Sequence, residues 1–449
     1  MRRRPLPFES AILWPVSRVL RVKLGRSLLS TPVNNNRCLL GHATLLLLAA
    51  FATAPARAQE KIDLKLVSRS QAESEILWRH GFTLEEPALQ AELQALLDSL
   101  TVSQTIDPAI RLRVHIFNSP DINAFAMPDG SIYIFAGLLA RLNSVDELAF
   151  VVGHEATHAI AWHAQRNIAQ AKSKSALFQV LSLTTSIAIG SSGWSGAGLI
   201  DSFSQLGLTL VAAASITGYS RALESEADMG GYRMLQAKGA SSCASVGALR
   251  AILAESPDHG SVATFFWGSH PRTVDRIKAI EGAIGSTCVA DTSLNDSYGH
   301  IKYPMLKLRA RMWNRADRPE LAVRCANPYV AAYPDDPEIH CIFGDALATS
   351  ENADTLALAR SAYSKAIQLG GATYREPLLG LATMAEAQHD TLATVNYLER
   401  YLAGDAEVPK RRSTKRHVEE LKQAFHWAAR APMDSTGSNE TSTPKKEED

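Results

Sequence analysis

The chain has 449 residues, 46% apolar and 20% charged, with 46 basic and 46 acidic side chains. That length and balance exclude a disordered, fibrous or single small-domain protein and leave room for two folded units with tails. The neutrality is uneven: the first 58 residues hold nine basic groups against Glu9, so the remainder carries 37 basic and 45 acidic groups, near −8, which argues against a nucleic acid partner.

Residues 1–58 read as a signal peptide. Arg2, Arg3, Arg4, Arg18, Arg21, Lys23, Arg26 and Arg37 precede an apolar run from Leu39 to Ala54, and Ala56-Arg57-Ala58 supplies a small-x-small cleavage pattern. Cleavage there would start the mature chain near Gln59 and place it in the periplasm. The alternative is an uncleaved anchor that keeps the protein membrane-associated, although a run of about 16 residues is short for a span.

Residues 59–300 form the first expected folded unit. Leu89, Leu93, Leu96, Leu97 and Leu100 recur at helical spacing after Pro87, a residue suited to a first turn. Alternation in Leu112-Val114-Ile116 and in Ile132-Ile134, with Pro128-Asp129-Gly130 between, predicts a small sheet with a hairpin. Gly137 begins a return to helix. Ser144 followed by Glu147 is an N-cap pattern for a helix running to about Arg166. Residues 175–217, broken at Gly190-Ser191-Ser192-Gly193, are apolar but too short on either side for membrane spans, and read as buried or lid-forming helices.

From residue 301 to 432 the chain turns Ala- and Leu-rich. Tyr363 to Gly370 and Tyr397 to Leu402 are similar units about 34 residues apart, the tetratricopeptide period; two to four degenerate repeats, or a plain helical bundle, fit. Residues 433–449 are polar and expected to be disordered. Outside the signal, Cys243, Cys288, Cys325 and Cys341 allow two disulfides, the sequential pairing 243–288 and 325–341 being simplest, or buried thiols.

The chemistry lies in His154-Glu155-Ala156-Thr157-His158. At about 100° per residue the two histidines lie roughly 40° apart on one helical face, so both imidazoles can clamp one ion, while Glu155 reaches a water on that ion. A third ligand is needed. A histidine six residues after His158 is excluded, because Ala164 stands there; His163 lies about 140° around the helix from His158 and reads as a surface or supporting residue. Downstream, Glu224 and Asp228 share a face of a charged helix-prone stretch, and Glu226 points away. Glu224 would complete a His/His/Glu site with one position open for water, the arrangement of a catalytic zinc, one Zn(2+) per chain. Asp228 would accept the other ring N–H of a ligand histidine.

HExxH followed by Glu224-Ser225-Glu226-Ala227-Asp228 resembles the metallopeptidase family that includes HtpX, Oma-type proteases, CAAX prenyl proteases and periplasmic BepA. Asn123-Ala124-Phe125-Ala126, Gly137-Leu138-Leu139, and Ser269-His270-Pro271 followed by Arg276 are similar to further family elements. The resemblance covers roughly residues 60 to 280. It implies an α+β fold, mainly helical with a small sheet, of the zincin type, followed by an all-α tetratricopeptide-like domain. It implies His154, His158 and Glu224 as metal ligands, Glu155 as general base, and His270 as either a cap on the open metal position or an oxyanion stabiliser. Asn123, Ala124, Phe125, Ile132 and Ile134 would be the substrate strand, with the segment from Ile132 to Phe135 as a docking edge for extended polypeptides. The export signal and the repeats are most similar to the BepA type, which implies quality control of envelope proteins beside outer-membrane assembly machinery. The rival reading is a tetratricopeptide chaperone or assembly factor whose zinc site is capped or vestigial.

Overall fold

The computed structural model describes residues 62–170, 199, 202–203, 205–216, 218–254, 273–289, 293–403 and 411–430. The signal segment, most of the apolar stretch from 175 to 198, His270 and the tail from 433 lie outside the described residues.

Helix α1 (Leu64–Arg79) starts at Asp63, whose side chain accepts from the main-chain N–H of Lys65 and Leu66. Helix α2 (Pro87–Thr101) opens on Pro87 and buries Leu93, Leu96, Leu97 and Leu100, the stripe its spacing predicts. A three-stranded sheet follows: β1 (Arg113–Phe117), β2 (Ala124–Ala126) and β3 (Ser131–Phe135), in the order β1-β3-β2. β2 and β3 form the hairpin, with Met127–Gly130 as its turn, whereas β1 runs parallel to β3 with Val114 opposite Ile132. Phe117, Phe125, Tyr133 and Phe135 stack on one face, and the period of two sends Val114, Ile116, Ala124, Ile132 and Ile134 to the other.

β3 is therefore central and hydrogen-bonded on both sides, so Ile132 and Ile134 are fully buried core residues and not a docking edge, as the sequence reading expected. An alternating run looks the same at the centre and the rim of a sheet. The outer strands are β1 and β2, the latter carrying Ala124 and Phe125.

Helix α3 (Ala136–Arg141) follows at once, and Gly137 passes so close to the main chain of Pro120 and Asp121 that no side chain would fit. Helix α4 (Val145–Ile160) is the central helix. Ser144 caps it by accepting from the N–H of Glu147, and Glu147 accepts from the N–H of Asn143. It ends six residues earlier than expected: Trp162 takes a left-handed conformation (φ 56°), and a separate helix α5 (His163–Gln170) begins. Helix α6 (Thr209–Ile216) packs on α1 and β2, α7 (Arg221–Ala237) and α8 (Cys243–Leu253) pack on α4, and α9 (Thr273–Ile284) packs on α7 and α8. The buried Glu73 of α1 accepts from the N–H groups of Leu210 and Val211 and so anchors the first turn of α6.

The remaining described helices are α10 (Gly299–Arg315), α11 (Pro319–Ala332), α12 (Pro337–Leu347), α13 (Ala353–Gly370), α14 (Glu376–Ala387), α15 (Thr391–Leu402) and α16 (Arg411–Arg430), each packed on its chain neighbour. One hydrophobic cluster runs without a break from Val67 to Ala346, because α10 packs on α3 and the Tyr298 hydroxyl donates to the carbonyl of Leu139. Cys243 and Cys288 form a disulfide, while Cys325 and Cys341 are buried thiols, each on a separate helix, so the second expected bridge is not made. No described helix is long and apolar enough to cross a membrane.

Candidate metal centre

Helices α4 and α7 cross at a contact made of glycine. A methyl group added to Gly231 would sit 2.8 Å from the main-chain nitrogen of His154, and one added to Gly153 would sit 3.1 Å from the Cα of Gly231. This approach brings a carboxylate of one helix onto two imidazoles of the other. His154 Nε2 and His158 Nε2 are 3.0 Å apart; Glu224 Oε2 is 3.8 Å from the first and Glu224 Oε1 3.5 Å from the second. These three residues are buried, and theirs is the metal-binding constellation found among the described residues.

The donor set fits zinc. Ligand atoms about 2.0–2.1 Å from a tetrahedral ion stand roughly 3.4 Å apart, within a few tenths of the spacings here. The far sides of both rings are already committed. His154 Nδ1 stands 3.1 Å from Asp228 Oδ1, and His158 Nδ1 stands 2.8 Å from His163 Nδ1, so each Nε2 is left facing Glu224. Tyr219 lies flat on the His158 ring at 4.1 Å between centroids.

Asp228 is itself fixed. Arg276 of α9 donates from Nε and from its terminal nitrogen to the two Asp228 oxygens at 2.9 and 2.7 Å, and a second terminal nitrogen stands 3.3 Å from Glu224 Oε2. Burial alone would raise the Asp228 carboxyl; Arg276 and the His154 bond overcome it and hold it well below the usual carboxylate range. Burial pushes His158 down, and burial with the neighbouring His158 pushes His163 down to about 3, so both rings are neutral at ordinary pH. Neutral imidazole is the form that binds metal.

Glu155, 2% exposed, lines a small cleft with His154 and Arg276; Ala124, Leu138, Phe150, Val151, Leu249 and Ile252 make the rest of its wall. Ala124 brings the edge strand β2 to this cleft. Asn123, buried, donates from its amide to the carbonyl of Ser215, tying that strand to α6.

Residues 84–284 match the family model described as Peptidase family M48. The match spans 201 of the 449 residues, and within it the HExxH helix is α4 and the ExxxD helix is α7. Among relatives, the mitochondrial metalloendopeptidase OMA1 of Schizosaccharomyces pombe is 25% identical over 201 residues, 44% of this chain and 53% of that protein. The metalloprotease YcaL of Escherichia coli (strain K12) is 31% identical over 171 residues, 38% of this chain and 61% of that protein. Bovine metalloendopeptidase OMA1 is 45% identical over 51 residues, 11% and 10% of the two chains. The chain thus spans from about a tenth to about three fifths of the length of these curated relatives.

Three further residues support the site. His163, for which the sequence leaves a surface and a supporting role open, takes the second: the break at Trp162 swings it under His158, where its Nε2 lies 3.4 Å from Glu226. Arg276 and Tyr219 stand in the sequence only as members of longer patterns, with no role assigned by them.

Proposed function

We propose that this chain is a zinc-dependent endopeptidase with His154, His158 and Glu224 as its ligands and Glu155 as its general base. The observation that carries this is the convergence of two Nε2 atoms and one carboxylate, on two helices, within 4.8 Å of one another beside a buried glutamate. Zinc, when bound, lowers the pKa of water and polarises a carbonyl. The chain's own residues do the rest. Asp228, anchored by Arg276, and His163 fix the tautomers and angles of the two imidazoles. Glu155 takes a proton from the attacking water and passes it to the departing amine. The apolar wall of Leu138, Phe150, Val151, Leu249 and Ile252 excludes water and favours an apolar side chain next to the scissile bond.

Ala124 of β2 lines the cleft beside Glu155, which supports an extended polypeptide running along that strand, a mode that selects unfolded or unassembled clients over particular sequences. The paired helices from α10 onward support a tetratricopeptide-like reading of residues 301–432, a surface for holding a client or partner. Export to the periplasm and a place beside outer-membrane assembly machinery rest on the amino-terminal sequence and on the family resemblance.

The test is hydrolysis of casein by wild type and E155Q, with zinc content measured in both. The proposal expects equal zinc and loss of hydrolysis in E155Q. Equal, low activity in both would favour a binding module with a vestigial site.

A further inference from the structure

Away from the metal centre, α3, α10 and α11 line a second, open cavity whose walls carry Arg141, Lys302, Arg309 and Arg324 and no carboxylate. Asp121 acts on Arg309 and Glu147 acts on Lys302, but the lining itself presents four cations to one concave space.

The cations are held in place by the fold. Arg309, 5% exposed, donates to the carbonyl of Pro120; Lys302 donates to the carbonyl of Leu142 and to Asn143 Oδ1; Arg141 donates to the carbonyl of Ala251. A ligand would therefore pay little to order them. Independently, Trp313 lines the same cavity and is 1% exposed, yet its indole N–H donates to no protein acceptor. A buried indole N–H normally has a partner, so this one calls for an acceptor from outside the chain.

We propose that this cavity is a binding site for a phosphate-type oxyanion, carried either by a small phosphorylated molecule or by a phospholipid headgroup. A phosphate brings a charge of about −1.5 to −2 and three strong acceptor oxygens, which suits a wall of four cations and the spare indole donor; a carboxylate brings one charge and two oxygens. Leu306, on the cavity wall, suits the organic part of such a ligand. The site would bind its ligand at the seam where α10 joins the domain that matches M48, whether or not zinc is present.

The test is calorimetric titration of the full chain with inorganic phosphate at constant ionic strength. Wild type is expected to bind one phosphate per chain saturably. K302Q/R324Q is expected to weaken binding by about tenfold or more, since each lost charged donor costs about that factor, and W313F to weaken it less. Thermal unfolding without phosphate checks that the variants fold, and W313F, which keeps every charge, provides a second probe if the double variant does not. Vesicles of phosphatidylglycerol that compete with phosphate would identify a headgroup as the source, and vesicles that do not would identify a soluble molecule. No saturable phosphate binding, unchanged affinity in both variants, or acetate binding as tightly as phosphate would overturn the proposal.

Discussion

Replacing Gly231 with alanine tests whether the spacing of α4 and α7 is what assembles the metal centre. The new methyl would lie 2.8 Å from His154 N, 3.0 Å from the Phe150 carbonyl oxygen and 3.2 Å from the carbonyl carbon of Gly153. All three are main-chain atoms and cannot rotate away. Carbon contacts relax to about 3.5 Å or more, so α7 must retreat by roughly 0.5–1 Å. Overpacking of that kind costs about 1–3 kcal/mol, while alanine in place of glycine inside a helix returns about 0.8–1.0 kcal/mol. The net loss is at most about 2 kcal/mol, small enough for the fold to survive. The site is less tolerant, because a constellation works only within about 0.5 Å of its geometry. Glu224 sits about two turns back along α7 and moves with it. Zinc affinity should therefore fall by about 10–100-fold, the range seen when the support of a ligand is disturbed. Competition with a chromogenic chelator reads that affinity, and thermal unfolding of the metal-free protein reads the fold. A G231A protein that holds zinc as tightly as wild type would refute the argument.

Three further outcomes follow from the same structure. R276M strands the buried Asp228 carboxylate without its guanidinium and should cost about 3–5 kcal/mol in denaturant unfolding; a loss below about 1 kcal/mol would mean the pair is dispensable. Asp121 is pushed up to about 6 by burial, against the partial opposition of Ser119 and Arg309, whereas an unfolded aspartate titrates near 3.9. The folded state therefore keeps this proton longer, and its contribution to stability declines as pH rises from about 4 to about 6, by about 2–3 kcal/mol. Unfolding of D121N across that window should lack the decline, and a curve parallel to wild type would contradict the assignment. Finally, the Cys243–Cys288 bridge closes a loop with a sequence separation of 45, so C243S/C288S should lose about 4 kcal/mol in the chain-entropy account. Unchanged unfolding with and without reductant would show that the bridge does not form in solution.

The sequence was most informative where one helix carries the pattern alone. His154, Glu155 and His158 follow from the 3.6-residue period, and Ser144 with Glu147 marks the start of their helix by local hydrogen bonding. Glu224 and Asp228 were legible because four residues bring them to one face. What could not be read depends on contacts between elements. That α7 rests on α4 is written in Gly153 and Gly231, but a glycine in a helix carries no mark of the partner it admits. The early end of α4 hangs on a left-handed tryptophan, a residue that rarely takes that conformation, so nothing local announced that His163 would fold back under His158. The order β1-β3-β2 likewise comes from a parallel pairing between strands with another strand between them in the chain, which alternation cannot distinguish from a simple meander.

Hydrolysis by this chain requires one ion held by three side chains from two helices. Crystals grown with zinc, with diffraction recorded on both sides of its absorption edge, test this most directly. The predicted result is a single anomalous peak about 2.0–2.2 Å from His154 Nε2, His158 Nε2 and a Glu224 oxygen. A peak held by other residues, or by the two histidines with Glu224 out of reach, would contradict it.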